Sequence, residues 1–446
     1  MSAELKKSLK ICIIGAGMGG LASALALAKE GFEDIHVFER ASNLGFVGAG
    51  IQLAPNMARI LDRLGVWKNI EKDAVRCRET SIREGATDLE LAHVQLDYIS
   101  ETYGYPHMVG HRSSLAGGLY EGCRAEKAIT FHFATSLLKV DTWSARARFT
   151  ALPRDGEPYP VEADVVLAAD GIKSNARRDM LQALSIDAAI VDTNQAAYRI
   201  MITRDQAAHD PELLELMDSE RVVRWIGEKR HLIAYPISNH TIYNISTTQP
   251  DVNFAVGPSE TYTTKGSKPA MLSVFADFCP KIQRLLKLVP DGEVCEWKLR
   301  VHAPLPTWIH GSVALVGDAC HPTLPHLAQG AAQAIEDAAV LGVLLGKLPD
   351  SSPATINKTL RVYEKIRKER AETLVDWAAA SSLELHLGKG AAKEERDRQF
   401  EALRQNGGKA ARVPDKWADA DVQKVVYGVD VVKIAQEQFE EMFNSV

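Results

Sequence analysis

Two kinds of hydrophobic pattern divide this chain. Residues 9–14 (LKICII), 165–168 (VVLA) and 313–316 (VALV) are nearly unbroken apolar runs, the pattern of strands buried on both faces of a parallel sheet. Residues 35–38 (IHVF) read as a further strand of that sheet. Between about 186 and 300 the period changes to two. AAYRIMITR, RVVRWIG, HLIAYPI, TIYNIST and CEWKLRV alternate apolar and polar positions and are rich in β-branched and aromatic residues. They predict an antiparallel sheet, with a helical segment over 270–289 packed on it. Segments at 129–168 (AITFHF, SLLKVDTW, RARFTAL) predict a small β-meander. Residues 45–56 (GFVGAGIQLAPN) read as a glycine-rich loop before a helix near 56–64. Beyond 356 the pattern is that of amphipathic helices, and the charged tail after Lys389 predicts a solvated helix and a loosely held terminus.

The first strand runs into Gly15-Ala16-Gly17-Met18-Gly19-Gly20, then an alanine- and leucine-rich helix, then the second strand ending at Glu39. Strand, GxGxxG, helix, strand and acid is the arrangement that binds a dinucleotide. Gly15 permits the tight turn, Gly17 lets a pyrophosphate approach the backbone, and Gly20 lets helix and strand pack closely. The helix N-terminus offers free N–H groups to the phosphates. Glu39 is placed to accept hydrogen bonds from an adenosine ribose, which both NAD and FAD carry. The fold class is therefore α/β: a Rossmann-like nucleotide lobe (1–185 and 297–355), an inserted antiparallel β-sheet substrate domain (186–296) and a C-terminal helical region (356–446).

Two later stretches narrow the choice of nucleotide. VVLAADGIKSNARR (165–178) ends a strand at Asp170-Gly171, and GDACHPTLPHLAQGAAQAIEDAAVL (317–341) places Gly317-Asp318 after another. Pro322 and Pro325 stiffen the loop that follows, and Gln329-Gly330 opens a helix whose alanines allow a close approach to a flat ring. A dehydrogenase that used only the first motif leaves both stretches unexplained.

Composition removes other classes. A net charge of −6 gives no basic face for nucleic acid, and no apolar run is long enough to span a bilayer. The N-terminus enters a buried strand almost at once, which leaves no room for a signal peptide. The six cysteines are scattered without CxxC spacing, so reduced thiols and a cytoplasmic setting are expected. Cys320-His321 has no complementary ligand pair nearby in sequence, and no metal site is expected.

GAGMGG with Glu39, AADGIKSNAR and GDACHPTLPHLAQGAAQAIEDAA, in this order, resemble the class A flavoprotein aromatic monooxygenases, in particular the salicylate hydroxylase-like branch. The resemblance covers roughly residues 9–385. It implies non-covalent FAD, NADH or NADPH as electron donor, O2 as co-substrate and a flavin C4a-hydroperoxide. Asp170 and Asp318 become cofactor contacts, as does Arg112 in HRSSL; Arg40, Gly50, Gln52, Pro322, Gly330 and Ala331 complete the set. A flavin halogenase is disfavoured, because W-x-W-x-I-P is absent. A non-enzymatic binding protein on the same fold is a rival reading.

The inserted sheet is expected to supply the substrate residues. His231 and Tyr235 lie four apart in one strand and share a face. His231 resembles the branch's substrate-contacting histidine and is placed to accept a phenolic proton. Arg199, in AYRIMI, is the candidate partner for a carboxylate or phenolate. The expected reaction is hydroxylation of a small phenolic acid of the salicylate or hydroxybenzoate type, with CO2 lost if attack is ipso. The alternative is ortho or dearomatising hydroxylation of a larger phenolic metabolite. The sequence leaves open monomer or homodimer.

Overall fold

The computed structural model describes residues 3–45, 48–188, 190–252, 263–405, 413–417 and 419–446. The first lobe is built on a six-stranded sheet. Its order is Ile129–His132, Asp34–Phe38, Lys10–Ile14, Val165–Ala168, Val313–Leu315, Ile309–His310. All neighbours are parallel except the last pair. The chain reverses its direction of sheet growth at Lys10–Ile14, and ligands of open α/β sheets bind at such a switch point. Helices Met18–Lys29 and Gly330–Leu345 pack on each other over this sheet. Small residues allow it: Gly19 and Gly317 lie against Ala334, and Gly342 against Ala26.

The predicted meander is redistributed. Ile129–His132 pairs in parallel with Asp34–Phe38 and belongs to the main sheet. The meander proper is Thr135–Thr142, Ala147–Pro153 and Tyr159–Ala163. Within the predicted loop at 45–56, Gly50–Leu53 forms a strand against Met108–His111. Phe46 and Val47 of that loop lie outside the described residues.

The second sheet has eight strands. Its order is Thr263–Lys265, Cys295–His302, Ile190–Thr203, Ile242–Pro250, Arg230–Ile237, Arg221–Gly227, Glu79–Glu84, Glu90–Gln95. It reaches beyond the 186–296 span by recruiting Glu79–Gln95, and the junction of Arg221–Gly227 with Glu79–Glu84 is parallel rather than antiparallel. Tyr198, Trp225, Leu232 and Ile245 pack one face against helices that include Pro211–Asp218 and Pro280–Lys287. The helix expected over 270–289 is two helices, Lys268–Val274 and Pro280–Lys287, because Pro280 cannot continue the first. The opposite face carries His231, Ile233 and Tyr235 and looks toward the loop at 320–329 and the C-terminal helices.

The C-terminal region is led by a 33-residue helix, Pro353–Leu385. The expectation of a loosely held terminus is overturned. Val431, Val432, Ala435 and Phe439 of helix Val431–Ser445 are buried in the first lobe's core, and Val422, Val426 and Tyr427 pack beneath the second sheet. Charge on the outer faces hides these short apolar stripes. No helix among the described residues is long and apolar enough to cross a membrane.

Candidate active site

The glycine motif folds as its spacing requires. Gly15 has φ +97°, and a side chain there would run into the Ala169 carbonyl. A Cβ on Gly20 would overlap the Gly15 carbonyl, so the helix can approach only without one. At Gly17, the residue before helix Met18–Lys29, a Cβ would meet nothing within 4 Å. That position borders a cleft of about 1100 Å³, whose walls include Gly15, Glu39, Arg40, Asp170 and Asn175. Glu39 accepts from the Ala16 N–H at 2.7 Å and the Ala41 N–H at 2.8 Å, so its carboxylate also pins the glycine turn. Asp170 accepts from the Ala176 N–H through Oδ2, while buried Oδ1 has no partner. Burial pushes that carboxyl upward. An open glycine at a helix start and an orphaned carboxylate oxygen fit the diphosphate and ribose of a dinucleotide.

Arg177, which sequence reasoning left without a role, ties the two Asp-bearing turns. Its guanidinium donates to the Ile172 carbonyl at 2.6 Å and the Ala319 carbonyl at 3.0 Å. Asp318 is open to solvent yet deeply set, and desolvation raises its carboxyl pKa. His321, Arg112, Arg177 and Arg199 oppose that shift. Desolvation lowers Arg112, against the pull of Asp318.

The loop 320–329 is held from below by a buried charge network. Asp337 accepts from the Gly317 N–H at 2.9 Å, from His321 Nε2 at 2.6 Å and from Arg367 Nε at 2.9 Å. Arg367 is wholly buried and also pairs with Glu336 at 2.7 Å, which in turn holds Arg370 and Asn56. Although burial opposes it, these partners hold Asp337 down at about 2, His321 first. The EDA segment therefore positions the Gly-Asp turn and the proline loop. Cys320, His321 and Asp337 form the one three-residue group among the described residues whose atoms lie close enough to hold a metal. The Asp337 carboxylate is already filled by three donors. Pro322 is buried, while Gly330 and Ala331 at the helix start are half-buried.

Register across the second sheet sets which side chains share the face opposite its helices. Arg224 pairs with Ile233, Ile233 with Ser246, Ser246 with Arg199, and Arg199 with Cys295. His231 sits opposite Thr248 in the row on one side, Tyr235 opposite Asn244 on the other. Arg199 stacks on Trp297 with 4.5 Å to the ring centroid, and burial lowers its pKa to about 10. Tyr235 is raised by burial, with Arg199 opposing. His231 Nδ1 is 2.6 Å from His386 Nε2, and the His326 ring packs edge-on against both. Desolvation drives all three histidines well down, His386 to about 4. Asn244 Nδ2, Thr248 Oγ1, Trp297 Nε1 and His326 Nδ1 are buried without partners. Four orphaned atoms in one seam mark a place for a polar ligand.

The family model for an FAD binding domain matches residues 8–378. This chain is a class A flavoprotein aromatic monooxygenase. The FAD-dependent monooxygenase atnJ of Arthrinium sp is 30% identical over 90% of each chain. The 3-hydroxybenzoate 6-hydroxylase 1 of Aquipseudomonas alcaligenes is 33% identical over 86% of this chain and 91% of its own. A salicylate hydroxylase substrate complex shares the fold with a TM-score of 0.77, at 23% identity over 97% of this chain and 98% of that one.

Within this monooxygenase the expected residues fall into two groups. Gly15, Gly17, Glu39, Arg40 and Asp170 line the cleft, while Arg112, Asp318 and Arg199 form a charged cluster nearer the second sheet. Gly50 joins the two groups, its N–H donating to Asn244 Oδ1 at 2.6 Å and its Cα lying against Tyr235. Gln52 is turned away to His107, at 3.1 Å. Tyr105 donates to Asp62 near the surface. Sequence reasoning missed Arg224, His326 and His386. His326 stood in the PHLAQG stretch already singled out, whereas His386 and Arg224 had no local signal.

Proposed function

We propose that the enzyme hydroxylates a small phenolic acid, taking electrons from NADH or NADPH and an oxygen atom from O2. The observation that carries this reading is the seam where His231, Tyr235 and Arg199 share one sheet face with orphaned polar atoms. The 3-hydroxybenzoate hydroxylase relative supports the substrate class. Bound FAD would be held by the glycine turn, Glu39 and Asp170 at one end and by the charged cluster and loop 320–329 at the other. It supplies reduction and the activation of O2. The protein supplies the rest. Arg199 and Tyr235 hold the phenol oxygen as it gains negative charge. His231, kept neutral by burial and by neighbouring His386 and Arg224, is in the form that accepts the phenolic proton. Apolar Ile233, Leu324 and Leu327 keep the seam dry. The coupling of Arg199 with Tyr235 also suits ortho or dearomatising hydroxylation of a larger phenol, as an alternative outcome. The free thiols and soluble composition support action in the cytoplasm, as a monomer or homodimer.

The test is NADH and NADPH oxidation across a panel of phenolic acids, with product and CO2 analysis. Stimulation by at least one phenolic acid, with hydroxylated product, is expected; no stimulation by any phenol removes the reading. His231→Ala should lower kcat/KM by about 100-fold or more if His231 is the base. Unchanged turnover and affinity would remove it from the mechanism.

A further inference from the structure

Arg224 is the group in this seam that the cofactor and the phenol leave unexplained. It is 5% exposed, its Nε is buried without a partner, and it makes no hydrogen bond or ion pair with any described residue. Burying a guanidinium in that state costs several kcal/mol, and an arriving anion recovers much of it. The side chain is nonetheless held in place. It lies over the Trp417 ring at 5.1 Å, a stack that orients the plane of the fork. Asp415 is the carboxylate that acts on it, but that carboxyl is itself buried, is raised by desolvation and accepts from the Trp417 N–H at 3.1 Å. His231, His326 and His386 around it are neutral, so none competes for an anion.

Its place in the sheet gives it a distinct role. Arg224 and Arg199 occupy one cross-strand row, three strand intervals apart, so their backbones are separated by about 14 Å. Ile233 and Ser246 lie between them, flanked by the His231–Thr248 and Tyr235–Asn244 rows. The row is therefore cationic at both ends, with apolar Ile233 beside Arg224 and the small Ser246 beside Arg199. We propose that Arg224 binds the carboxylate of the aromatic substrate, with the ring over Ile233 and the phenol directed toward Arg199 and Tyr235. This deepens the phenolic-acid reading and rests on it. It moves the carboxylate away from Arg199, which then serves the phenol oxygen. The matched family domain ends at residue 378, whereas His386, Asp415 and Trp417 lie past it. The far wall of the site is thus built by the portion of the chain outside that domain, and it sets specificity for an acid.

The test uses the FAD-loaded full chain and flavin absorbance changes on titration with matched pairs: salicylate with salicylamide, and 3-hydroxybenzoate with 3-hydroxybenzamide. The wild type should bind at least one acid more tightly than its amide. Arg224→Gln should reduce that acid-to-amide affinity ratio by about 30-fold or more, and Arg224→Lys should restore part of it. FAD content and melting temperature check the fold of each variant. If Arg224→Gln fails to fold, the wild-type ratio and Arg224→Met decide. Equal affinity for acid and amide in the wild type, or an unchanged ratio in Arg224→Gln or in a folded Arg224→Met, overturns the Arg224 anchor while the phenol hydroxylase reading stands. No flavin perturbation and no NAD(P)H oxidation with either member of any pair overturns both.

Discussion

The network beneath loop 320–329 and the seam beneath the second sheet are both buried, and both are rich in charged and polar groups. They differ in closure. Asp337 and Glu336 meet Arg367, Arg370, His321 and Asn56, so the carboxylates and guanidinium groups of the network answer one another inside the protein, and only the amide atoms Asn56 Oδ1 and Gln333 Nε2 keep no partner. In the seam Arg224, Asn244, Thr248 and His326 each keep an atom without a partner. A closed network fixes geometry, as a cofactor socket requires. An open one carries a standing desolvation cost that a ligand can relieve, as a substrate site requires.

The largest effect should come from opening the closed network. Arg367→Met leaves two buried carboxylates short of their cation and should cost about 3–5 kcal/mol, with loss of FAD on gel filtration. A urea midpoint within error of wild type would show that the network is not what holds the loop. Next in size is a contrast within the glycine turn. Gly20→Ala drives a methyl into the Gly15 carbonyl and should destabilise by about 3 kcal/mol. Gly17→Ala meets no protein atom, so it should fold normally and weaken FAD retention alone. Equal damage to folding from both would break the assignment of Gly17 to the cofactor.

Acid separates the two regions. His107 and His386 are held near 4, and His231 and His326 lower than usual, all by burial. Histidines kept neutral in the fold give full stability above pH 6.5 and lose it as pH falls toward 4, because the unfolded chain binds the extra protons. Each contributes a slope of about 1.4 kcal/mol per pH unit in that window. Asp337 has the opposite charge but the same direction: its contribution holds above about pH 4 and goes only as pH approaches 2. Urea midpoints from pH 7 to 4 should therefore report the seam first, and His386→Gln should flatten that slope. The smallest effect is Thr248→Val. It removes a hydroxyl without a partner, so stability should change by less than about 1 kcal/mol while substrate affinity shifts.

The cofactor half of the site was legible in the sequence because its geometry is local. Gly15, Gly17, Gly20 and Glu39 sit within one strand–helix–strand unit, so spacing alone fixes the tight turn, the close helix approach and the open backbone at Gly17. His231 and Tyr235 were legible for the same reason, since strand alternation places them on one face. Arg199 needed register as well, and the loop at 50–53 hid a strand whose partner lies over fifty residues on. Gln52 illustrates the limit: its position in the loop suggested the cofactor, and packing turned it to His107.

What the sequence determined by itself was the lobe that holds FAD, the family, and which strands carry alternating faces. Those follow from hydrophobic period and glycine sterics, which act over a few residues. Tertiary structure alone decided that Glu79–Gln95 completes the second sheet and that the charged tail docks. It also brought Arg224, His231, His326, His386 and Trp417 into one seam. Those contacts join segments far apart along the chain, where register and packing choose neighbours that no local pattern encodes.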